Sequence, residues 1–260
     1  MNWWEGVILG VVQGLTEFLP VSRSGHLVVS QVALGLTMPG VFVEVVLHVA
    51  TLLAVVLVYR ERIWHLVRGA LTRDAAAWRS MGLLVVATIP AVIVGGLFKG
   101  FFERVFDSVS VVGVDFLLTG AILWSTRWAA MGARDEPRLP GAFGIGVAQA
   151  CAILPGISRS GSTVTAAMWL GIDPVRAAEF SFLMAIPAIA GAAVLQVPDA
   201  LSEVGALHAG PLLVSFLAAL ISGVWAIRLL VRLLARGSFH RFAPYCWALG
   251  TVTVVWSLAR

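Results

Sequence analysis

Two copies of the tetrapeptide Ser-Arg-Ser-Gly, at residues 22–25 and 158–161, lie inside apolar sequence. An arginine is costly to bury in such surroundings and is usually retained for function. Serine and glycine after a break in an apolar segment are typical of a helix N-terminus, whose free N–H groups bind anions. The two copies therefore predict one anion-binding site that two related parts of the chain form together.

A carboxylate and an imidazole flank the first tetrapeptide. Glu17 precedes it, with Gln13 one helical turn earlier on the same face, and His26 follows it. Next to a bound phosphate, Glu17 is suited to holding a divalent cation, with Gln13 as a further ligand, and His26 to transferring a proton or attacking phosphorus. Arg23 and Arg159 can clamp the phosphate. This pattern predicts phosphoryl-transfer chemistry, which needs mainly positioning and charge stabilisation.

The expected substrate contacts extend over both tetrapeptides. They are Ser22, Arg23, Ser24, Gly25, Ser158, Ser160, Gly161 and Thr163. Ser-Gly is also an ordinary helix cap, but a structural explanation is weak for several ionisable residues in apolar segments. Glu44, His48 and Glu179 stay undecided: they can extend the site, orient its arginines or snorkel to the membrane surface. Asp115 is expected to form structural hydrogen bonds.

The composition is that of an integral membrane protein. Of the 260 residues, 59% are hydrophobic and 12% are charged, whereas a soluble domain carries about 25% charged residues. The net charge of +4 does not indicate nucleic-acid binding, because the arginines fall mostly between apolar segments, where membrane topology explains them. Membrane lipids are therefore the expected partners, and nucleic acid is not.

Six apolar segments are long enough to approach a bilayer span. They are residues 41–59, 81–98, 110–124, 177–197, 211–234 and 242–258. Shifting the chain against itself by the 136 residues from Ser22 to Ser158 superposes the two tetrapeptides and places Gln13 on Gln149. In each half, two short apolar pieces with a polar break precede three spans. Irregular backbone at membrane depth survives only inside protein or beside a wet cavity.

The sequence therefore predicts an all-α polytopic membrane protein with a single membrane domain, residues 1–260. Two inverted-topology repeats, 1–128 and 141–260, are each expected to contain a re-entrant helical hairpin, at about 3–36 and about 142–170, followed by three transmembrane helices. Three spans per repeat give the two repeats opposite orientations, an arrangement shared with transporters.

Arginine placement predicts which loops face the cytoplasm. The loops at 60–79, 127–138 and 228–241 are rich in arginine and are expected inside. A loop that carries Asp199 and Glu203 has no lysine or arginine and is expected outside.

Three segments resemble the undecaprenyl pyrophosphate phosphatase family of bacteria, which is also known for bacitracin resistance. They are residues 10–22, 154–163 and 178–183, and the resemblance extends over nearly the whole chain. It implies hydrolysis of undecaprenyl pyrophosphate to the monophosphate carrier lipid of cell-wall synthesis. It also implies a divalent cation, Mg²⁺ or Ca²⁺, and an inner-membrane protein whose active site opens to the periplasmic side.

At the matching positions, Glu17 would be the essential carboxylate, His26 the imidazole that acts on phosphate, and Arg159 the phosphate clamp. The chain departs from the family pattern twice. Gln13 stands where many members have a second glutamate, and Arg23 stands where many have a serine that is a candidate nucleophile. The nucleophile is then His26, a neighbouring hydroxyl or a metal-activated water, and His26 or water is favoured narrowly over a serine.

Two other functions remain open from the sequence. Inverted repeats also suit a transporter or flippase for polyprenyl phosphate or another anionic lipid. Gln13 and Arg23 would also fit a relative that binds polyprenyl phosphates without hydrolysing them. A homodimer is left open as well.

Overall fold

The computed structural model describes residues 2–34, 41–106, 108–129, 132–203 and 209–259, and within these ranges the chain forms helices and no strand longer than an isolated bridge. The helices are α1 (Trp3–Phe18), α2 (Arg23–Leu34), α3 (Val41–Val58), α4 (Arg60–Leu71), α5 (Ala75–Leu97), α6 (Lys99–Phe106), α7 (Val109–Ser125), α8 (Leu139–Cys151), α9 (Arg159–Trp169), α10 (Pro174–Glu203), α11 (Ala209–Ala235) and α12 (Ala243–Leu258). The predicted all-α class is confirmed, and the end of the predicted hairpin 3–36 lies outside the described residues.

Local sequence explains where the helices begin. Asn2 and Glu5 form a reciprocal capping box at the start of α1. Asp74 caps α5 through two backbone N–H groups, and Pro174 occupies the first position of α10, where a missing N–H costs nothing.

The helices are those of an integral membrane protein. Among the described residues, α5, α11 and the segment Val109–Trp128 are each long and apolar enough to cross a bilayer. A fourth candidate is the pair α3 and α4, which meet at an angle of 79°. All six apolar segments predicted from the sequence lie on helices.

Two predicted loops are wrong. Arg60, Arg62 and Arg68 belong to helix α4, whose Leu66 is buried while Arg68 is exposed. An amphipathic helix of this kind can carry the same arginines as a loop. Asp199 and Glu203 belong to α10, which continues beyond the proline before Asp199; an interior proline weakens a helix but need not end it when packing supports it.

The first helix of each short pair packs against a long helix from the other half of the chain. Helix α1 packs mainly on α11, and α8 packs mainly on α5. Glycines allow the close approach: a Cβ added to Gly14 would come within 2.7 Å of the backbone nitrogen of Gly223 on α11. Small residues facing one another are typical of helix contacts in membranes. This contact fixes α1, which carries Glu17.

A buried aromatic cluster lies next to Glu17 in the fold. The ring of Phe18 meets that of Phe182 edge to face at 5.5 Å, and Tyr59 lies 6.1 Å from Phe182. Phe18 and Phe182 are completely buried. The cluster therefore links α1, α10 and the junction of α3 with α4.

Candidate active site

The two polar breaks meet in the interior of the protein. The first tip, residues 19–22, joins α1 to α2, and the second tip, residues 152–158, joins α8 to α9. Ser22 has a positive φ of 61°, which turns the chain sharply before α2. Ser158 caps α9 by accepting a hydrogen bond from the N–H of Gly161 at 3.1 Å. Both tetrapeptides therefore open a helix, as predicted.

Direct contacts hold the tips together. The N–H of Gly156 donates to the Ser22 hydroxyl at 3.2 Å. A Cβ on Gly25 would lie 3.0 Å from the Cα of Gly156, so only glycine permits this approach. Thr119 of α7 donates to the carbonyl of Gly156 at 2.8 Å and accepts from the N–H of Ser158 at 3.0 Å. The predicted meeting of the two tetrapeptides is confirmed, and Thr119 is a support that the sequence did not reveal.

A carboxylate between two arginines forms the centre of the site, hereafter the carboxylate cluster of Glu17, Arg23, Arg159, Gln13 and His48. Arg159 donates through Nη2 to Glu17 Oε1 at 2.7 Å. Arg23 donates through Nη1 to Glu17 Oε2 at 3.4 Å, and the Gln13 amide donates to the same oxygen at 3.3 Å. The Glu17 side chain is only 9% exposed. One buried carboxylate thus orients both arginines.

His48 holds Arg23 from the opposite side. Its Nδ1 lies 2.8 Å from the backbone carbonyl of Glu44, and its Nε2 contacts Nη1 of Arg23. A carbonyl only accepts and a guanidinium only donates, so Nδ1 carries the proton and His48 is neutral. Of the roles left undecided for His48, the structure supports orientation of a tip arginine.

Both arginines have buried donors left over. Arg23 Nε and Arg159 Nη1 are buried and have no hydrogen-bond partner among the described residues. Buried donors are nearly always satisfied in folded proteins, so unpaired ones point to a ligand. They lie beside the N-terminal ends of α2 and α9, which attract anions. The arrangement is suited to a phosphate group.

His26 faces a tyrosine rather than the carboxylate cluster. Its Nδ1 lies 2.8 Å from the Ser22 carbonyl, and its Nε2 lies 2.6 Å from the hydroxyl of Tyr245 on α12. The two rings are nearly parallel, with an angle of 6° between them. Because Nδ1 must donate to the carbonyl, Nε2 accepts from Tyr245. Nε2 therefore carries the lone pair of His26, and the Tyr245 hydroxyl occupies it.

Most predicted substrate contacts among the hydroxyl groups have partners within the protein. Ser22, Ser158, Ser160 and Thr163 are all at least 97% buried. Thr163 donates to the Arg159 carbonyl at 2.8 Å, and the Ser160 hydroxyl donates to a carbonyl of the first tip at 3.4 Å. These hydroxyls position the tips, and their contact with substrate stays a prediction.

Glu179 lies outside the carboxylate cluster. It pairs with Arg62 at 3.0 Å and with Arg176 at 3.1 Å, at the wall of a polar cavity of about 660 Å³. Glu136 accepts from Arg62 at 2.7 Å in the same cavity.

Asp115 is buried, and its Oδ2 has no hydrogen-bond partner in the described part of the chain. The structural hydrogen bond expected of Asp115 is therefore absent at that oxygen.

The surroundings of Glu17 do not fit a resident divalent cation. Both carboxylate oxygens accept from guanidinium groups, and Gln13 turns its donor rather than its oxygen toward Glu17. The described residues contain no group of three or more His, Cys, Asp or Glu side chains placed to hold a metal. Mg²⁺ and Ca²⁺ require oxygen ligands, and a cation here would face two positive charges. The cation implied by the resemblance, with Glu17 and Gln13 as ligands, stays a prediction.

Comparison with known proteins identifies the family. The family model described as bacitracin resistance protein BacA matches residues 6–252, which include both tips. An undecaprenyl-diphosphatase of Desulfosudis oleivorans is 42% identical over 266 residues, covering 96% of this chain and 97% of that protein. An undecaprenyl-diphosphatase 4 of Bacillus thuringiensis is 40% identical over 257 residues, covering 98% and 97%. The chain therefore belongs to the family of the bacitracin resistance protein BacA.

Proposed function

We propose that the protein is an undecaprenyl-diphosphatase, which hydrolyses undecaprenyl pyrophosphate to undecaprenyl phosphate and inorganic phosphate. The observation that carries the proposal is the pair of buried, unpaired guanidinium donors on Arg23 and Arg159 beside Glu17. A pyrophosphate is a ligand of matching charge and hydrogen-bonding capacity. Relatives of this chain that carry the same activity in their names support the choice of substrate.

The arginines and the helix ends bind the pyrophosphate. Arg23 Nε and Arg159 Nη1 donate to phosphate oxygens, and the N-terminal N–H groups of α2 and α9 add partial positive charge. These groups are already in place before the reaction, so they stabilise the charge that develops on phosphorus oxygens without reorganising.

Glu17 holds the guanidinium groups of Arg23 and Arg159 in fixed positions relative to each other. It accepts from Arg159 at 2.7 Å and from Arg23 at 3.4 Å, and its burial makes each of these interactions stronger than on a surface. Removing the carboxylate would free two long side chains to move apart. We assign Glu17 the role of holding the clamp in the geometry that the phosphate needs.

His26 supplies the reacting nitrogen. Nδ1 is fixed by the Ser22 carbonyl, so Nε2 carries the lone pair. Both routes that use this lone pair need the Tyr245 hydroxyl to turn away from Nε2. In the first, Nε2 attacks the terminal phosphorus, undecaprenyl phosphate leaves, and water then releases phosphate from the phosphohistidine. In the second, Nε2 takes a proton from a water that attacks the same phosphorus and displaces undecaprenyl phosphate. Trapping of a phosphohistidine would identify the first route, and its absence in an active protein would identify the second.

The membrane arrangement belongs to the same proposal. We place two inverted repeats in the bacterial inner membrane, each with a re-entrant hairpin (α1–α2 and α8–α9), and open the site to the periplasmic side. Reciprocal packing supports this, since α1 lies on α11 and α8 lies on α5. The enzyme would recycle the carrier lipid for cell-wall synthesis and thereby confer bacitracin resistance.

The test is phosphate release from undecaprenyl pyrophosphate by the detergent-purified protein. Glu17→Gln, His26→Ala and Arg159→Ala should each reduce the rate by about a hundredfold or more, as removal of a positioned charged group in an active site commonly does. His65→Ala, a change on the exposed face of α4, is the control and should retain the wild-type rate.

Full activity in any of the three site variants would contradict the assignment of that residue. A wild-type protein that binds the lipid but releases no phosphate would contradict the activity itself.

A further inference from the structure

We infer that this protein hydrolyses its substrate without a resident divalent cation, because Arg23 supplies the positive charge that a cation would bring to Glu17. The inference rests on the phosphatase activity proposed above and concerns the same site. It concerns a difference in chemistry between this chain and the cation-dependent pattern that the family resemblance implies.

The charge of Glu17 is already neutralised within the protein. Arg159 and Arg23 each donate to a different carboxylate oxygen, at 2.7 and 3.4 Å. A cation bound directly to either oxygen would lie close to at least one guanidinium group, in a site where charges are poorly screened because Glu17 is 9% exposed. Binding would therefore require at least one arginine to leave.

Among the described residues, Glu17 is the only carboxylate that pairs with Arg23 or Arg159. Glu179 and Glu136, the other buried or half-buried acids with charged partners, are paired with Arg62 at the polar cavity. Glu44 contributes its backbone carbonyl, which accepts from Nδ1 of His48. Mg²⁺ sites usually use one or two carboxylates together with substrate phosphates, and the single carboxylate here is shared by two arginines.

Arg23 is held as a permanent part of the site. His48 accepts from its Nη1, and Glu17 accepts from the same nitrogen, while Nε stays buried and unpaired. A guanidinium is charged at all relevant pH values and binds phosphate through directed N–H donors. It can therefore neutralise a phosphate oxygen as a cation would, but it does not dissociate.

Oε2 of Glu17 has both of its lone pairs occupied. The Gln13 amide and the Arg23 guanidinium both donate to this oxygen. Compared with a glutamate and a serine at these two positions, the glutamine removes one negative charge and the arginine adds one positive charge, a change of +2 that equals the charge of one divalent cation.

The experiment compares the wild-type protein with the double variant Gln13→Glu/Arg23→Ser. After removal of metals with EDTA, the wild type should release phosphate at a rate within about twofold of that in excess Mg²⁺. The reason is that side chains supply all the positive charge of its site, and EDTA does not remove them. The double variant should lose about a hundredfold in EDTA, as expected for loss of an electrostatic stabiliser, and should recover with Mg²⁺ or Ca²⁺. Arg68→Ser, a change on the exposed surface, should behave as the wild type.

A second readout does not depend on activity. Mn²⁺ titration followed by electron paramagnetic resonance should show no stoichiometric site in the wild type and one site in the double variant. The wild-type titration needs no variant, so a misfolded double variant would not weaken the test.

Stoichiometric Mn²⁺ binding to the wild type, or wild-type hydrolysis that stops in EDTA, would overturn the inference while leaving the phosphatase activity intact. Failure of every protein to release phosphate with or without metal would overturn the proposed function and this inference together.

Discussion

Replacing Thr119 by valine removes one hydroxyl group and keeps the shape of the side chain. In the folded protein this hydroxyl donates to the carbonyl of Gly156 at 2.8 Å and accepts from the N–H of Ser158 at 3.0 Å. Thr119 is 1% exposed, so water cannot easily take its place. The change therefore leaves two buried backbone groups of the second tip without a partner, directly before Arg159.

The size of the effect follows from these two groups. Leaving a buried backbone donor or acceptor unpaired costs about 1–3 kcal/mol. Taking the lower limit for each of the two groups gives about 2 kcal/mol. If this free energy is added to the activation barrier because Arg159 is misplaced, the rate falls about thirtyfold. If the same free energy is lost from the stability of the folded protein instead, the midpoint of thermal unfolding in detergent should fall by about 4–8 °C.

The assay is phosphate release from undecaprenyl pyrophosphate at a temperature well below unfolding, combined with a thermal unfolding curve. Thr253→Val is a matched control, since Thr253 is also 1% exposed but its hydroxyl bonds only to Leu249 of its own helix, at 2.8 Å. Equal behaviour of the two variants, in rate and in unfolding, would refute the role given to Thr119 in holding the second tip.

Two further predictions concern the imidazole and the packing of α1. Tyr245→Phe should leave kcat unchanged or raise it by up to about fivefold, because the hydrogen bond to Nε2 of His26, worth about 1 kcal/mol, must break before that nitrogen reacts, and it should leave KM unchanged. Tyr59→Phe is its control, because the Tyr59 hydroxyl has no partner in the described structure. Gly14→Ala should destabilise the protein against heat, since the added Cβ would meet the backbone of α11, whereas Gly82→Ala should be neutral or stabilising. Equal unfolding midpoints for the two alanine variants would contradict the packing described for α1.

The sequence was sufficient to predict that the two tips meet and bring their arginines together. Glu17, Arg23 and Arg159 are ionisable residues in apolar segments, and the repeated tetrapeptide related two of them to one another. That information lies in the types of the residues and their spacing, which can be read without knowing how the helices pack. The contact between Glu17 and Arg159, which are 142 residues apart, confirms that the two tips meet.

The supporting residues could not be predicted in the same way. Tyr245 lies 219 positions from His26, and Thr119 lies 37 positions from Gly156. Each is one of several polar residues on a largely apolar helix, and its partner depends on how α7 and α12 pack. Sequence reasoning also mistook α4 for a loop, because its many arginines satisfy the same charge rule whether or not the backbone is helical.

Helix α1 packs on α11 and helix α8 packs on α5, so each of them depends on the other half of the chain. This sets an order of events during synthesis of the chain. Helix α1 leaves the ribosome first, but its principal packing partner, α11, begins only at Ala209. Glu17 likewise has to wait for Arg159 before its charge is fully compensated. Until then, a short helix with a buried carboxylate is unlike a stable membrane span. We therefore expect the polar first tip to stay out of the hydrocarbon interior until α9 and α11 have been made, and the site to close late in assembly.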